Sequence, residues 1–208
     1  MLSPEQLLAF LLVALAITAS PGPDNLMVLG MGMSKGRKPG MAFGLGCALG
    51  CLSHTALAVA GVSALVAASP TALTVLRWAG GLYLVWLGVQ SLRSQGGARA
   101  RTDTSAEHSL RALFLRGMLA NAINPKVVMF FLAFLPQFVQ PAQGQVGLQL
   151  AVLGVVFTAQ AAVLFGLLGY FAGTVGGWLN QRPQAGLWLD RLAGLVFIGL
   201  GLRLMLAR

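Results

Sequence analysis

The sequence predicts an all-α polytopic membrane protein: six transmembrane helices arranged as a 3+3 inverted repeat, with the first and fourth helices broken. Three observations carry this expectation. Of the 208 residues, 57% are hydrophobic and 9% charged, against roughly 25% charged in a soluble globular domain. The apolar residues gather into six runs whose connections alternate between basic and neutral. Two of the runs are interrupted, at corresponding places in the two halves, by residues that a continuous helix disfavours.

The runs span about 5–33, 41–67, 71–92, 112–139, 147–175 and 187–206, each long enough for a crossing of roughly 20 residues. The first lacks a basic leader, carries Glu5 and does not end in a plain small-residue cleavage site. It reads as a retained helix, not a signal peptide. Lys35, Arg37 and Lys38 make the first connection basic, Arg93, Arg99, Arg101 and Arg111 the third, and Arg182 the fifth. The second, at Ser69-Pro70, and the fourth, QPAQGQ, carry no charge. An excess of Lys and Arg marks cytoplasmic loops, so loops one, three and five face the cytoplasm and both termini face outward. Arg203 and Arg208 run slightly against that topology. The same loops explain the net charge of +9. Nucleic-acid binding is excluded, since no aromatic-interleaved basic patch or recognition helix is present.

The polar stretch 93–111 joins two halves, 1–93 and 112–208, of a single domain spanning residues 1–208. Gly22-Pro23-Asp24 followed by NLMVL matches Asn124-Pro125-Lys126 followed by VVMFF. R-W-A-G at Arg77–Gly80 and W-L-G ending at Gly88 match R-L-A-G at Arg191–Gly194 and G-L-G ending at Gly201. Three crossings are an odd number, so the halves lie in the membrane with opposite orientation, and inverted repeats bind their cargo at the repeat interface.

Pro21 and Pro23 lack a donor N–H, Gly22 permits strained backbone angles, and together they break the first helix. Asp24 and Asn25 then start its second piece, where free N–H groups and the helix dipole suit a carboxylate or an anionic ligand. One reading is a kink capped by Asp24; the other is a ligand site. Asn121, Asn124 and Pro125 break the fourth run, and Lys126 follows. A charge at the bilayer centre costs roughly 2.5–3.5 kcal/mol on insertion scales. Opposite charges at corresponding breaks therefore suggest either mutual neutralisation or capture of a zwitterion, its carboxylate near Lys126 and its ammonium near Asp24.

His54 is a candidate proton relay or a hydrogen-bonding partner across a helix interface with Ser53 or Thr55. Arg77 is a candidate pathway residue or a snorkelling interface anchor. Asp190 and Arg191 read as a local pair. Cys47 and Cys51 share a helix face and, with Gly40, Gly44, Gly46 and Gly50, read as small-residue packing that lets helices approach closely. Such faces also suit a homo-oligomer. No metal site and no cofactor are expected, nor a phosphate loop: G-L-G-C-A-L-G follows no strand. The chain is not expected to be an enzyme. A metal-ion efflux carrier using Asp24, His54 and the cysteines, and a cysteine-dependent redox protein, are the rival readings.

S-P-G-P-D-N-L-M-V near the start, the glycine ladder Gly32, Gly36, Gly40 and Gly44, R-W-A-G-G-L-Y-L-V-W-L-G at 77–88 and N-A-I-N-P-K at 121–126 resemble the LysE/RhtB family of bacterial amino-acid exporters. The likeness covers essentially the whole chain and is nearer the homoserine/threonine branch than the basic-amino-acid branch. It implies an inner-membrane secondary carrier that exports amino acids or close derivatives, with protons as the coupling ion. Its Pro-Gly-Pro break falls on Pro21, Gly22 and Pro23, with the acidic residue at Asp24, and its Asn-Pro-Lys element on Asn124, Pro125 and Lys126.

Overall fold

Helices α1 (Pro4–Ala19) and α2 (Pro23–Lys35) are the two pieces of the first run and meet at an angle of 58°. The computed structural model describes residues 2–62, 70–94 and 109–206; residues 63–67 of the second run and most of the connection 93–111 lie outside them. A capping box starts α1: the Ser3 hydroxyl accepts from the Gln6 N–H, and Gln6 Oε1 accepts from the Ser3 N–H at 2.9 Å. The Ser-x-x-Gln spacing announces it in the sequence. Gly36, at φ +94°, turns the chain from α2 into α3 (Arg37–Leu57), which ends in a π-helical turn, Ala58–Val62. The first basic connection is thus far shorter than expected. Arg37, Lys38 and Pro39 open α3, where the missing proline N–H has no helical acceptor to lose.

Next come α4 (Pro70–Arg93), α5 (Leu110–Ala122) and α6 (Pro125–Met129). α6 continues through a π-helical turn, Phe130–Phe134, and a 3₁₀ turn, Leu135–Phe138. Helix α5 and this continuation are bent by 51° at the second break. The neutral loop before α7 (Val146–Tyr170) reverses through Gly144 and Gln145, both at positive φ. The fifth run then breaks at Phe171 into a separate α8 (Ala172–Gln181), and α9 (Pro183–Leu206) closes the described chain.

Arg37–Gly61 and Val146–Tyr170 are each long and apolar enough to cross a membrane, and each bent pair passes when taken as one span. Helices α4 and α9 have 24 residues each, about 36 Å at 1.5 Å per residue. Leu8, Leu12, Leu82, Val163, Leu192 and Leu195 are each more than half exposed. An apolar surface on several helices is costly in water and suits lipid.

The helices meet through small residues, as the glycine pattern led one to expect. Helix α3 lies between α5 and α7. A Cβ on Gly46 would fall 2.0 Å from the Phe114 carbonyl oxygen, and one on Gly117 would fall 2.1 Å from that of Phe43. A Cβ on Gly169 of α7 would fall 2.5 Å from the Gly40 carbonyl carbon. The repeated motifs of α4 and α9 pack on one another, Gly81 against Gly201 and Gly88 against Gly194, so the two helices run antiparallel. Cys47 and Cys51 are buried free thiols in the α3 interface.

Candidate functional site

A broken helix exposes carbonyls that would otherwise accept bonds from the next turn, and both breaks are built around satisfying them. In the first, Thr18 O accepts from Asn25 Nδ2 at 2.9 Å, and Ser20 O accepts from Lys126 Nζ at 2.9 Å. The Lys126 ammonium also donates to Ser20 Oγ at 2.8 Å. In the second, Asn121 O accepts from the His54 Nε2–H at 3.0 Å, which places a proton on that nitrogen. Asn124 caps α6 through its side-chain oxygen, which accepts from the Lys126 N–H.

Gly22 sits at φ −174°, ψ 176°, extended backbone that any residue adopts, so the expected strain is not its role. A Cβ there would lie 3.2 Å from Lys126 Nζ and 3.6 Å from its Cδ. Glycine instead leaves room for the lysine to cross from one break to the other. Pro21, Pro23 and Pro125 shape the breaks from outside the cavity lining.

Asp24 does not cap α2, whose N-cap is Gly22. It is 3% exposed, and its Oδ2 accepts from Asn121 Nδ2 at 2.7 Å. Lys126, 8% exposed, makes no direct ion pair with Asp24: each charge holds an uncharged partner from the opposite half. The dipoles explain the arrangement. Asp24 lies in the first turn of α2, where the helix end is positive, and the Lys126 ammonium lies at the carbonyl end of α1. Lys126 Nζ also stands 5.3 Å from the centre of the Phe197 ring. Between the charges is a small cavity of about 20 Å³, lined by Gly22, Asp24, Asn25, Asn121, Asn124 and Lys126 among others. It has room for roughly one water.

The other candidates divide. His54 is 1% exposed and bonds to the backbone oxygen of Asn121 at the edge of the site. Ser53 and Thr55 bond to carbonyls of their own helix, so the expected pairing with His54 does not form. Arg77 is half-buried on α4 and does not line the cavity. Asp190 accepts from Ser94 Oγ at 2.6 Å while the Arg191 guanidinium stands over Trp188, so these neighbours do not pair. Cys51 donates to Asn121 Oδ1 at 3.5 Å. Among the described residues no group of three His, Cys, Asp or Glu side chains could hold a metal ion.

Several residues of the site escape a reading of the sequence. Ser20 holds Lys126, and its position directly before Pro-Gly-Pro was the available signal, since the break frees its carbonyl. Thr18 lines the cavity, and its hydroxyl accepts from Gln160 Nε2 at 2.8 Å. Phe157 and Phe165 of α7 close the wall; nothing in an apolar run singles them out.

Lipid-suited faces, two broken spans and buried opposite charges at the breaks make up a multi-pass membrane transporter. Residues 15–208 match the family described as LysE type translocator, and the chain belongs to that family; it is a translocator and not an enzyme. It is 35% identical over 202 residues, 97% of each chain, to an uncharacterized membrane protein of Vibrio cholerae. Over 200 residues, 96% of each chain, it is 30% identical to the homoserine/homoserine lactone efflux protein of Salmonella typhimurium. It is 29% identical to the leucine efflux protein of Klebsiella pneumoniae over 198 residues, 95% of this chain and 93% of that one. Relatives named for different substrates stand equally near, so identity does not separate the branches. No solved structure matches the chain.

Proposed function

We propose that this translocator is a secondary carrier of the bacterial inner membrane that exports zwitterionic amino acids or close derivatives, binding them between Asp24 and Lys126. One observation carries the reading: two buried opposite charges flank one cavity without pairing to each other. A substrate carboxylate would take an N–H of Lys126 not used by Ser20, and a substrate ammonium would take the Asp24 oxygen not used by Asn121. Charge-assisted hydrogen bonds are the strong ones, and in a desolvated site they reward a ligand carrying both charges. The names of the efflux relatives agree with this cargo.

In this proposal the chain crosses six times as two inverted halves, with α4 and α9 as the third and sixth crossings and both termini outside. The basic loops and the antiparallel glycine contacts of α4 with α9 support it. The cavity of about 20 Å³ belongs to a closed form, and rocking of the halves enlarges it toward one side at a time. Proton entry through Asp24 drives the return, since a carboxylate that takes up a proton releases the substrate ammonium.

Export from preloaded proteoliposomes tests the reading. A panel of radiolabelled amino acids is followed while the proton gradient is varied at fixed substrate gradient. Efflux of at least one amino acid that rises with an inward proton gradient is expected. Efflux indifferent to the gradient would remove proton coupling, and no efflux of any amino acid would remove the function.

A further inference from the structure

A second and larger cavity, of about 330 Å³, opens where the start of α1, the end of the α6 continuation and the end of α9 converge. Glu5, Gln6, Phe134, Gln137, Phe138 and Arg203 line it. Its volume falls within the range of roughly 300–1,000 Å³ usual for small-molecule sites. Glu5 on α1 and Arg203 on α9 are both exposed side chains of its lining and make no ion pair with each other among the described residues. The arrangement repeats that of the central cavity, an acid and a base facing one space without neutralising one another. Two glutamine side chains add donors and acceptors, and the two phenylalanines supply an apolar wall.

What lies between the two cavities is aromatic. Phe134 and Phe138 border the outer cavity, and Phe157 borders the central one. Phe130 connects them, with ring centres 5.5 Å from Phe134 and 5.2 Å from Phe157, while Phe10 stands 5.2 Å from Phe138. Phe131 meets Phe157 edge-on at 5.0 Å. All are buried, and Phe130–Phe134 form a π-helical turn, a departure from regular helix that often marks functional sites.

We infer that the outer cavity is a second binding site for a zwitterion, an exit vestibule in which Arg203 takes the carboxylate and Glu5 the ammonium, with the phenylalanine cluster as the plug between it and the central site. The inference rests on the proposed export for its direction, but the vestibule binds whether or not Asp24 and Lys126 do. The same pairing of anion and ammonium occurs in a free amino acid and in a phosphatidylethanolamine headgroup, and the assay separates them.

The full-length protein is placed in nanodiscs of phosphatidylglycerol alone, and binding of radiolabelled L-leucine and L-homoserine is measured for wild type, Asp24→Asn, Arg203→Gln and Glu5→Gln. Asp24→Asn should keep a binding component that Arg203→Gln weakens by about 10- to 100-fold, the loss expected for a hydrogen bond to a charged group. A Gln137→Cys variant gives the location, because the native thiols are buried. In sealed phosphatidylglycerol proteoliposomes, a membrane-impermeant maleimide applied to the face bearing the termini should label it, and either amino acid should slow labelling in the wild-type background but not with Arg203→Gln. Binding unaffected by Arg203→Gln and Glu5→Gln overturns the inference. So does labelling from the cytoplasmic side alone, or protection seen only when phosphatidylethanolamine is supplied.

Discussion

Replacing Asn121 with alanine tests the orientation of Asp24, and the other side-chain contact it removes is the long 3.5 Å one from the Cys51 thiol to Asn121 Oδ1. The Asn121 side chain donates to Asp24 Oδ2 at 2.7 Å, whereas His54 bonds to the Asn121 backbone oxygen and keeps its partner in the variant. Asp24 is 3% exposed, so bulk water does not replace the lost donor. A hydrogen bond to a charged group is worth about 1.5–3 kcal/mol, and the upper part of that range is expected here because the carboxylate stays buried. The corresponding loss is about 30- to 150-fold in affinity for an amino acid whose ammonium depends on that carboxylate. Asn121→Asp is the contrasting change, since it places a second carboxylate against the first. Two carboxylates sharing a site cannot both ionise readily, so one holds a proton and the pH dependence of binding differs from that of Asn121→Ala. Scintillation-proximity binding with purified protein, together with its melting temperature in detergent, reads both effects. Affinity within twofold of wild type and an unchanged melting temperature for Asn121→Ala would refute the role given to this contact.

Gly46→Ala and Gly117→Ala should each destabilise the protein by about 1–3 kcal/mol, the usual cost of overpacking, because the added methyl meets helix backbone at 2.0 and 2.1 Å. Gly199→Ala, with nothing within 4 Å of its Cβ, should melt like wild type; equal melting temperatures for all three would contradict the close helix contacts. Ser20→Ala removes one of the two acceptors of Lys126 and leaves the carbonyl. It should weaken binding of carboxylate-bearing substrates less than Lys126→Met does, and an effect as large as that of Lys126→Met would show that Ser20 does more than hold the ammonium.

Much of this was legible in the sequence because proline and buried charge carry strong local consequences. Pro23 and Pro125 each fix the first turn of a helix piece, so both breaks could be placed to within a residue or two. The glycines at 40, 44 and 46 announced close contacts without saying with what. Pairings were the illegible part. Asp24 and Lys126 invited a direct salt bridge, yet the freed carbonyl of Ser20 and the amide of Asn121 compete for them, and that competition depends on how far apart the bent helices hold the two charges. His54 likewise found a carbonyl freed by the other half's break and not a neighbour in sequence. Gly22 looked like a conformational device and is a clearance for Lys126, a role visible only once the lysine's path is known. The near-absence of a loop between α2 and α3 was hidden because Arg37 and Lys38 read as a connection, although basic residues sit comfortably in a helix that reaches the membrane surface.

The most direct measurement is counterflow of a radiolabelled amino acid in proteoliposomes, competed by an analogue lacking the carboxylate and by one lacking the ammonium. Wild type should ignore both analogues. Asp24→Asn should lose its preference for the ammonium and Lys126→Met its preference for the carboxylate, each with normal abundance in the membrane. Wild-type counterflow and unchanged preference in both variants would contradict a zwitterion held between the two helix breaks.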